Sequence, residues 1–177
     1  GAKLTSLEKT ALDKDGYEVV SHYRLPEEVA GSEFIVRYRF SPRGSLDVNC
    51  TFIPANDTLP LMPRMGVSIT LNKQYDQMAR RGRGPRENYC DRNGSSFVGL
   101  YKGSVAEQYF AYDRPQENGN KTDVRWMSLT DLKGNGLMVI GAPTISGSAY
   151  LFPTEDLMNP AHASHNAISQ TSNPKIW

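Results

Sequence analysis

The chain has 177 residues, 38% of them hydrophobic and 22% charged, which is the balance of one soluble globular domain with enough apolar material for a core. A formal net charge of +1 excludes a strong electrostatic pull toward nucleic acid or an anionic membrane. No apolar run approaches the ~20 residues of a membrane span, no signal peptide opens the chain, and Gly1 reads as a residue left by tag removal.

Alternation of period two dominates the first third and predicts an antiparallel meander. Residues 4–12 read as a strand, followed by a turn over 13–16. Residues 17–24 read as a second strand. Residues 33–40 form a third, in which aromatic and β-branched side chains alternate with Arg and Glu. Ser41-Pro42-Arg43-Gly44 is a turn into residues 45–53, where Leu46, Val48, Cys50 and Phe52 face one way and Cys50 is expected in the core. Residues 54–63 make a polar, proline-rich connection. Asn56-Asp57-Thr58 matches the glycosylation sequon, a weak pattern without a secretory context. Residues 64–71 read as a further strand.

The middle of the chain is less periodic. Strands are expected at 76–81, 108–111 and 122–128, with the basic run Arg80-Arg81-Gly82-Arg83 read as a solvated loop or a set of ion pairs. Residues 136–140 read as a buried strand from their unbroken apolar run, and 149–152 as a short one. Thr154 is placed to cap a short helix over 154–159, the only helical segment expected. His162 and His165 share a helical face, but a metal site would need a third ligand that no nearby sequence supplies, so capping or packing is their expected role. The tail ends on Lys175-Ile176-Trp177, and both chain ends read as cut through a sheet. Cys50 and Cys90 form no CxxC pair, and free thiols are expected over a disulfide.

Two stretches carry the most information. The first is Gly82-Arg83-Gly84-Pro85-Arg86-Glu87-Asn88-Tyr89-Cys90-Asp91-Arg92. The second is Pro115-Gln116-Glu117-Asn118-Gly119-Asn120-Lys121-Thr122-Asp123-Val124-Arg125-Trp126. Both contain Pro-x-Glu-Asn. Gly82 and Gly84 suit positive φ or a close approach of strands, and Pro85 stiffens the exit. Glu87 and Glu117 are expected to accept backbone N–H groups or to pair with Arg92 and Arg125. The alternative, a glycosidase dyad, needs two carboxyl groups about 5–5.5 Å or 6.5–9.5 Å apart. Tyr89, Tyr109, Tyr112 and Trp126 read either as a sugar-stacking platform or as core packing, with core packing the stronger expectation.

In this order, Arg64-Met65-Gly66, the Gly82 stretch, Tyr109-Phe110-Ala111-Tyr112 and Pro115-Gln116-Glu117-Asn118-Gly119 resemble the C-terminal β-sandwich domain of bacterial β-galactosidases of glycoside hydrolase family 2. The resemblance runs from about Leu4 to the end. It implies an all-β, antiparallel supersandwich similar to galactose mutarotases, here a single domain over 1–177 truncated at both ends. It implies an accessory role beside a barrel that hydrolyses terminal β-galactosides with retention. The catalytic glutamates and the Mg and Na ions of the family lie in that barrel, so no cofactor is expected in this chain. The family's terminal glycine-rich loop with its tryptophan does not occur here, which removes the direct contribution of such a domain to substrate. Implied partners are the remaining domains of the parent enzyme and a galactoside or other carbohydrate, with self-association through cut sheet edges. A free-standing carbohydrate-binding module is the alternative. An aldose-epimerase-like enzyme would need an acid and a base near the sugar, and His22, His162 and His165 lie outside the motif loops.

Overall fold

The structure, a computed structural model, describes residues 2–13, 16–59, 65–110, 112, 116–153 and 175–176. Its strands in chain order are β1 (Lys3–Leu12), β2 (Gly16–Arg24), β3 (Glu33–Phe40), β4 (Leu46–Ile53), β5 (Ile69–Thr70), β6 (Gln77–Gly84), β7 (Phe97–Ser104), β8 (Lys121–Thr130), β9 (Gly136–Gly147), β10 (Ala149–Tyr150) and β11 (Lys175–Ile176). The described chain is all-β and antiparallel, of the sandwich class, apart from 3-10 turns at Glu27–Val29 and Ala106–Gln108. It divides into two compact units, Gly1–Gly66 and Val67–Trp177.

The first unit is the meander β1-β2-β3-β4. Tyr17 pairs with Phe40 and Phe40 with Leu46; Val36 pairs with Cys50. Directly paired residues point to the same side, so this register gathers the apolar alternate positions on one face. The other face carries Glu18, which accepts from Arg39 at 2.7 Å and lies 3.6 Å from Arg37. The Arg39 hydrogen bond holds the Glu18 carboxyl below its usual range. The β3–β4 turn closes with Ser41 N–H on the Ser45 carbonyl, and Gly44 takes a φ of 82°. The apolar face is thinly covered. Leu7 is 62% exposed and Val48 42%, and Tyr17, Phe40 and Leu46 are also exposed. Cys50, expected in the core, is only half-buried because its face has no second layer among the described residues of this unit.

The second unit holds the sheet β7-β6-β8-β9 and a small sheet β10-β11-β5. Its core is Met78, Val105, Val124, Met127, Leu129, Ala149 and Ile176. Met78 pairs with Leu129 across β6 and β8, and Met127 with Val139 across β8 and β9, which stacks the alternate positions of three strands on one side.

Several expectations change here. Strand β7 was not anticipated, because Gly99 and Gly103 interrupt its Phe97-Val98-Gly99-Leu100-Tyr101 run. Residues 108–110 close a 3-10 turn and then run irregularly, so no strand forms there, and the strand expected at 64–71 shortens to Ile69–Thr70. Strand β9 is longer than expected and is not buried: Met138 and Ile140 are exposed, since only alternate residues of an edge strand meet the core. The basic run is a strand and not a solvated loop. Arg80 is 2% exposed, opposite Tyr101 and Met127. The helix expected at 154–159, His162 and His165 lie outside the described residues.

Candidate functional site

The two Pro-x-Glu-Asn loops are built the same way. In each, the Asn side chain donates from Nδ2 to the carbonyl two residues back: Asn88 to Arg86 at 3.0 Å and Asn118 to Gln116 at 3.0 Å. Both asparagines are buried. Each then uses Oδ1 to hold another segment. Asn118 accepts the Phe110 N–H at 3.2 Å. Asn88 accepts from the Thr122 backbone N–H at 2.8 Å and the Thr122 hydroxyl at 2.6 Å, and its Nδ2 also reaches the Arg83 carbonyl at 3.2 Å. An amide is suited to this task because it carries donors and acceptors together. The asparagines therefore satisfy backbone groups that no ladder reaches.

The loops are also tied to each other. Asn88 N–H donates to the Asn120 carbonyl at 2.8 Å, and Asn120 Nδ2 returns to the Asn88 carbonyl at 2.9 Å. Glu87 accepts the Gly119 N–H at 2.6 Å, the Arg92 guanidinium at 2.8 Å and the Tyr112 hydroxyl. Gly119 has φ 70°, and a Cβ there would meet the Gln108 carbonyl oxygen at 2.7 Å, so glycine is required. Gly82 and Gly84 take ordinary φ and serve close approach: a Cβ on Gly82 would meet Val124 at 3.0 Å, and one on Gly84 the Arg80 and Tyr101 side chains at 2.8 Å. The Pro85 carbonyl, after a cis Gly84–Pro85 bond, accepts from Arg80 at 2.7 Å. Pro115 lies outside the described residues, and Asp91 and Glu117 are exposed. Arg125 donates to the Asp123 carbonyl at 2.6 Å, while Asp123 pairs with Arg83 at 2.5 Å.

Two buried cations sit beneath these loops. Lys121 is 1% exposed and donates from Nζ to the Gly119 carbonyl at 2.7 Å. Burial, reinforced by repulsion from Arg80 and opposed by Glu87, lowers its pKa to about 7. Burial likewise lowers Arg80 to about 10. Sequence reasoning missed both. The one available signal was the place of Lys121 inside the second motif stretch, at the start of a strand.

The four aromatics have different immediate neighbours, although Arg92 touches both Tyr89 and Tyr112. Tyr89 is half-buried under the Arg92 guanidinium, 4.7 Å from its ring centre; burial raises its phenol, and its hydroxyl has no partner among the described residues. Tyr112 packs on Phe110 at 4.7 Å, and Tyr109 meets Phe152 edge-on at 5.4 Å. Trp126 lies in register between Arg81 and Ile140, pointing away from the buried Met127. Among the described residues no group of three or more His, Cys, Asp or Glu side chains could hold a metal ion.

The chain matches the family described as beta galactosidase small chain over residues 2–170. It is similar to the beta-galactosidase of Priestia megaterium, 41% identical over 114 residues, which is 64% of this chain and 11% of that protein. It is similar to the beta-galactosidase of Lactobacillus delbrueckii subsp. bulgaricus, 35% identical over 121 residues, or 68% of this chain and 12% of that protein. The beta-galactosidase of Pseudoalteromonas haloplanktis is 39% identical over 114 residues, covering 64% and 10%. The chain thus spans about a tenth of the length of the curated relatives it matches.

Proposed function

Since this chain belongs to the β-galactosidase small-chain family, we propose that it is a non-catalytic, accessory β-sandwich of an enzyme that hydrolyses terminal β-D-galactosides, supporting the catalytic barrel and its entrance. The observation that carries the reading is the apolar face of the β1–β4 sheet. A sheet that is hydrophobic on one face needs a second layer. Leu7, Tyr17, Phe40, Leu46 and Val48 all stand exposed on that face, ready for one supplied by the rest of the enzyme.

The chemistry of the motif loops supports the same reading. A general acid or base must exchange a proton with substrate. Glu87 instead commits its two oxygens to Gly119, Arg92 and Tyr112, which suits a strut between loops. The catalytic glutamates and the metal ions then belong to the other domains of the parent.

Reconstitution tests this. The chain alone should show no turnover of a chromogenic β-galactoside. A β-galactosidase deleted for this region should regain hydrolysis when the chain is added. Turnover by the chain alone that disappears in Glu87→Gln or Glu117→Gln would overturn the proposal.

A further inference from the structure

We infer that Asn93-Gly94 is a self-modification site. With water as the only co-reactant, Asn93 loses its side-chain amide and becomes aspartate or isoaspartate while the chain stays folded. The inference goes beyond the accessory role above and does not depend on it. Asn-Gly occurs three times in the sequence, at 93–94, 118–119 and 135–136. In such a pair the glycine carries no Cβ to shield its backbone nitrogen from the asparagine side chain. The structure gives the three pairs different fates.

Asn118 is locked. It is 1% exposed, donates from Nδ2 to the Gln116 carbonyl at 3.0 Å and accepts the Phe110 N–H on Oδ1 at 3.2 Å. The N–H of its neighbour Gly119 is already donated to Glu87 at 2.6 Å. Asn135 is exposed, but its Nδ2 donates to one oxygen of the Asp131 carboxylate at 3.3 Å and its backbone N–H to the other at 2.9 Å. That carboxylate opposes negative charge developing on the Gly136 nitrogen beside it. Asn93 has neither restraint. It is half-buried, and its side-chain amide makes no hydrogen bond with any described residue. Gly94 is exposed, takes an ordinary φ, and its N–H has no partner among the described residues.

The turn Asn93-Gly94-Ser95-Ser96 also activates the pair. Attack requires the Gly94 nitrogen to give up its proton, and peptide resonance moves the resulting charge onto the Asn93 carbonyl oxygen. That oxygen accepts the Ser96 N–H at 3.0 Å and the Arg83 guanidinium at 3.4 Å. Arg83 is held in place by Asp123 at 2.5 Å and by the Ser96 carbonyl at 2.9 Å. Fixed donors aimed at the atom where charge develops stabilise that charge, as an oxyanion hole does. The Gly94 nitrogen then bonds to Cγ of Asn93, the Cγ–Nδ2 bond breaks, and the amide leaves as ammonia with the Gly94 proton. Water opens the resulting five-membered imide at either carbonyl. Opening at Cγ gives aspartate. Opening at the backbone carbonyl gives isoaspartate, which adds a methylene to the main chain at the entry to β7 and shifts the carbonyl that Arg83 holds. No oxidant or reductant enters.

The test is to age the purified chain in mildly alkaline buffer, with and without denaturing urea. Peptide mapping by mass spectrometry follows amide-to-acid conversion at each pair, and electron-transfer fragmentation separates aspartate from isoaspartate. In native buffer Asn93 should convert about tenfold faster than Asn135 or Asn118, the worth of one hydrogen bond to a charged group. In urea the three rates should converge. Arg83→Gln removes the cation and should slow Asn93 several-fold, with continued protection of Asn118 reporting that the fold persists. A Cβ on Gly94 meets nothing within 4 Å, so Gly94→Ala keeps the fold and should nearly abolish conversion at Asn93. Equal rates at Asn93 and Asn118 in native buffer would overturn the proposal. So would an unchanged Asn93 rate in Gly94→Ala, or in an Arg83→Gln chain that still protects Asn118.

Discussion

The β1–β4 and β7-β6-β8-β9 sheets are both antiparallel and four-stranded, and they treat their side chains in opposite ways. The first alternates cleanly in sequence but fully buries only Val20 and Val36 among its described apolar residues. The second is broken by glycines at 82, 84, 99 and 103, yet it holds Met78, Val124, Met127 and Leu129 at 2% exposure or less. Alternation therefore reports which way a side chain points. Whether anything covers it depends on a second layer, and that is set by residues far away in the chain. The glycines of the second sheet record the same fact from the other side. A Cβ on Gly82 would press on Val124, one on Gly84 on Arg80 and Tyr101, and one on Gly99 on Tyr101.

The largest expected effect lies in the second unit. Met127→Ala removes a fully buried side chain that packs between strands, and should lower stability by about 2–5 kcal/mol in a urea melt. Next is Asn88→Ala. It strips the Arg83 and Arg86 carbonyls and both Thr122 donors of their partner inside the protein, at a cost of about 2–3 kcal/mol. The matching change Asn118→Ala breaks fewer bonds, so it should fall below Asn88→Ala; equal losses would show that the two motifs are not graded by their bond count.

Much of this was legible in the residues, for identifiable reasons. The first four strands follow from strict alternation and from Ser41-Pro42-Arg43-Gly44. The importance of the two motifs follows from their repeated Pro-x-Glu-Asn. What sequence reasoning misassigned was the weight inside each motif. Charge drew attention to Glu87 and Glu117, whereas the buried residues are Asn88 and Asn118. An amide that satisfies three backbone groups and a hydroxyl, as Asn88 does, looks like any loop asparagine until the loop is closed. The same limit hid Arg80 and Lys121, because a cation is expected in water unless the surrounding fold is known.

Lys121 provides a smaller, pH-dependent test of the second unit. Its folded pKa of about 7 is depressed from the usual lysine value near 10.5. Between those values the unfolded chain binds a proton that the folded chain does not, so stability rises with pH across this window and is flat below it. The charged groups acting on it are Arg80, which lowers the pKa, and Glu87, which raises it. The full shift is worth about 1.4 kcal/mol per pH unit, and relaxation of a buried site reduces this. We expect a gain of about 1–2 kcal/mol from pH 7 to pH 10. Above pH 10 the raised Tyr89 phenol works in the opposite direction. Lys121→Met should abolish the rise. A rise that persists in Lys121→Met would place the titrating group elsewhere.

The smallest expected effect is the sharpest on the contrast between the sheets. Val48 is apolar, faces the same side as Tyr38 and Phe40, and is 42% exposed. If that face has no cover in the isolated chain, Val48→Thr keeps the β-branched shape and loses little apolar burial. It should change stability by less than about 0.5 kcal/mol. The same substitution should matter far more in the reconstituted enzyme, where the proposed second layer removes the face from water and leaves the new hydroxyl without a partner. The readout is therefore a difference: an unchanged melt of the chain alone, and a several-fold weaker restoration of galactoside hydrolysis in the mixture. A chain that melts much earlier with Val48→Thr would show that the face is already covered. A variant that restores hydrolysis as well as the parent chain would show that the rest of the enzyme docks elsewhere.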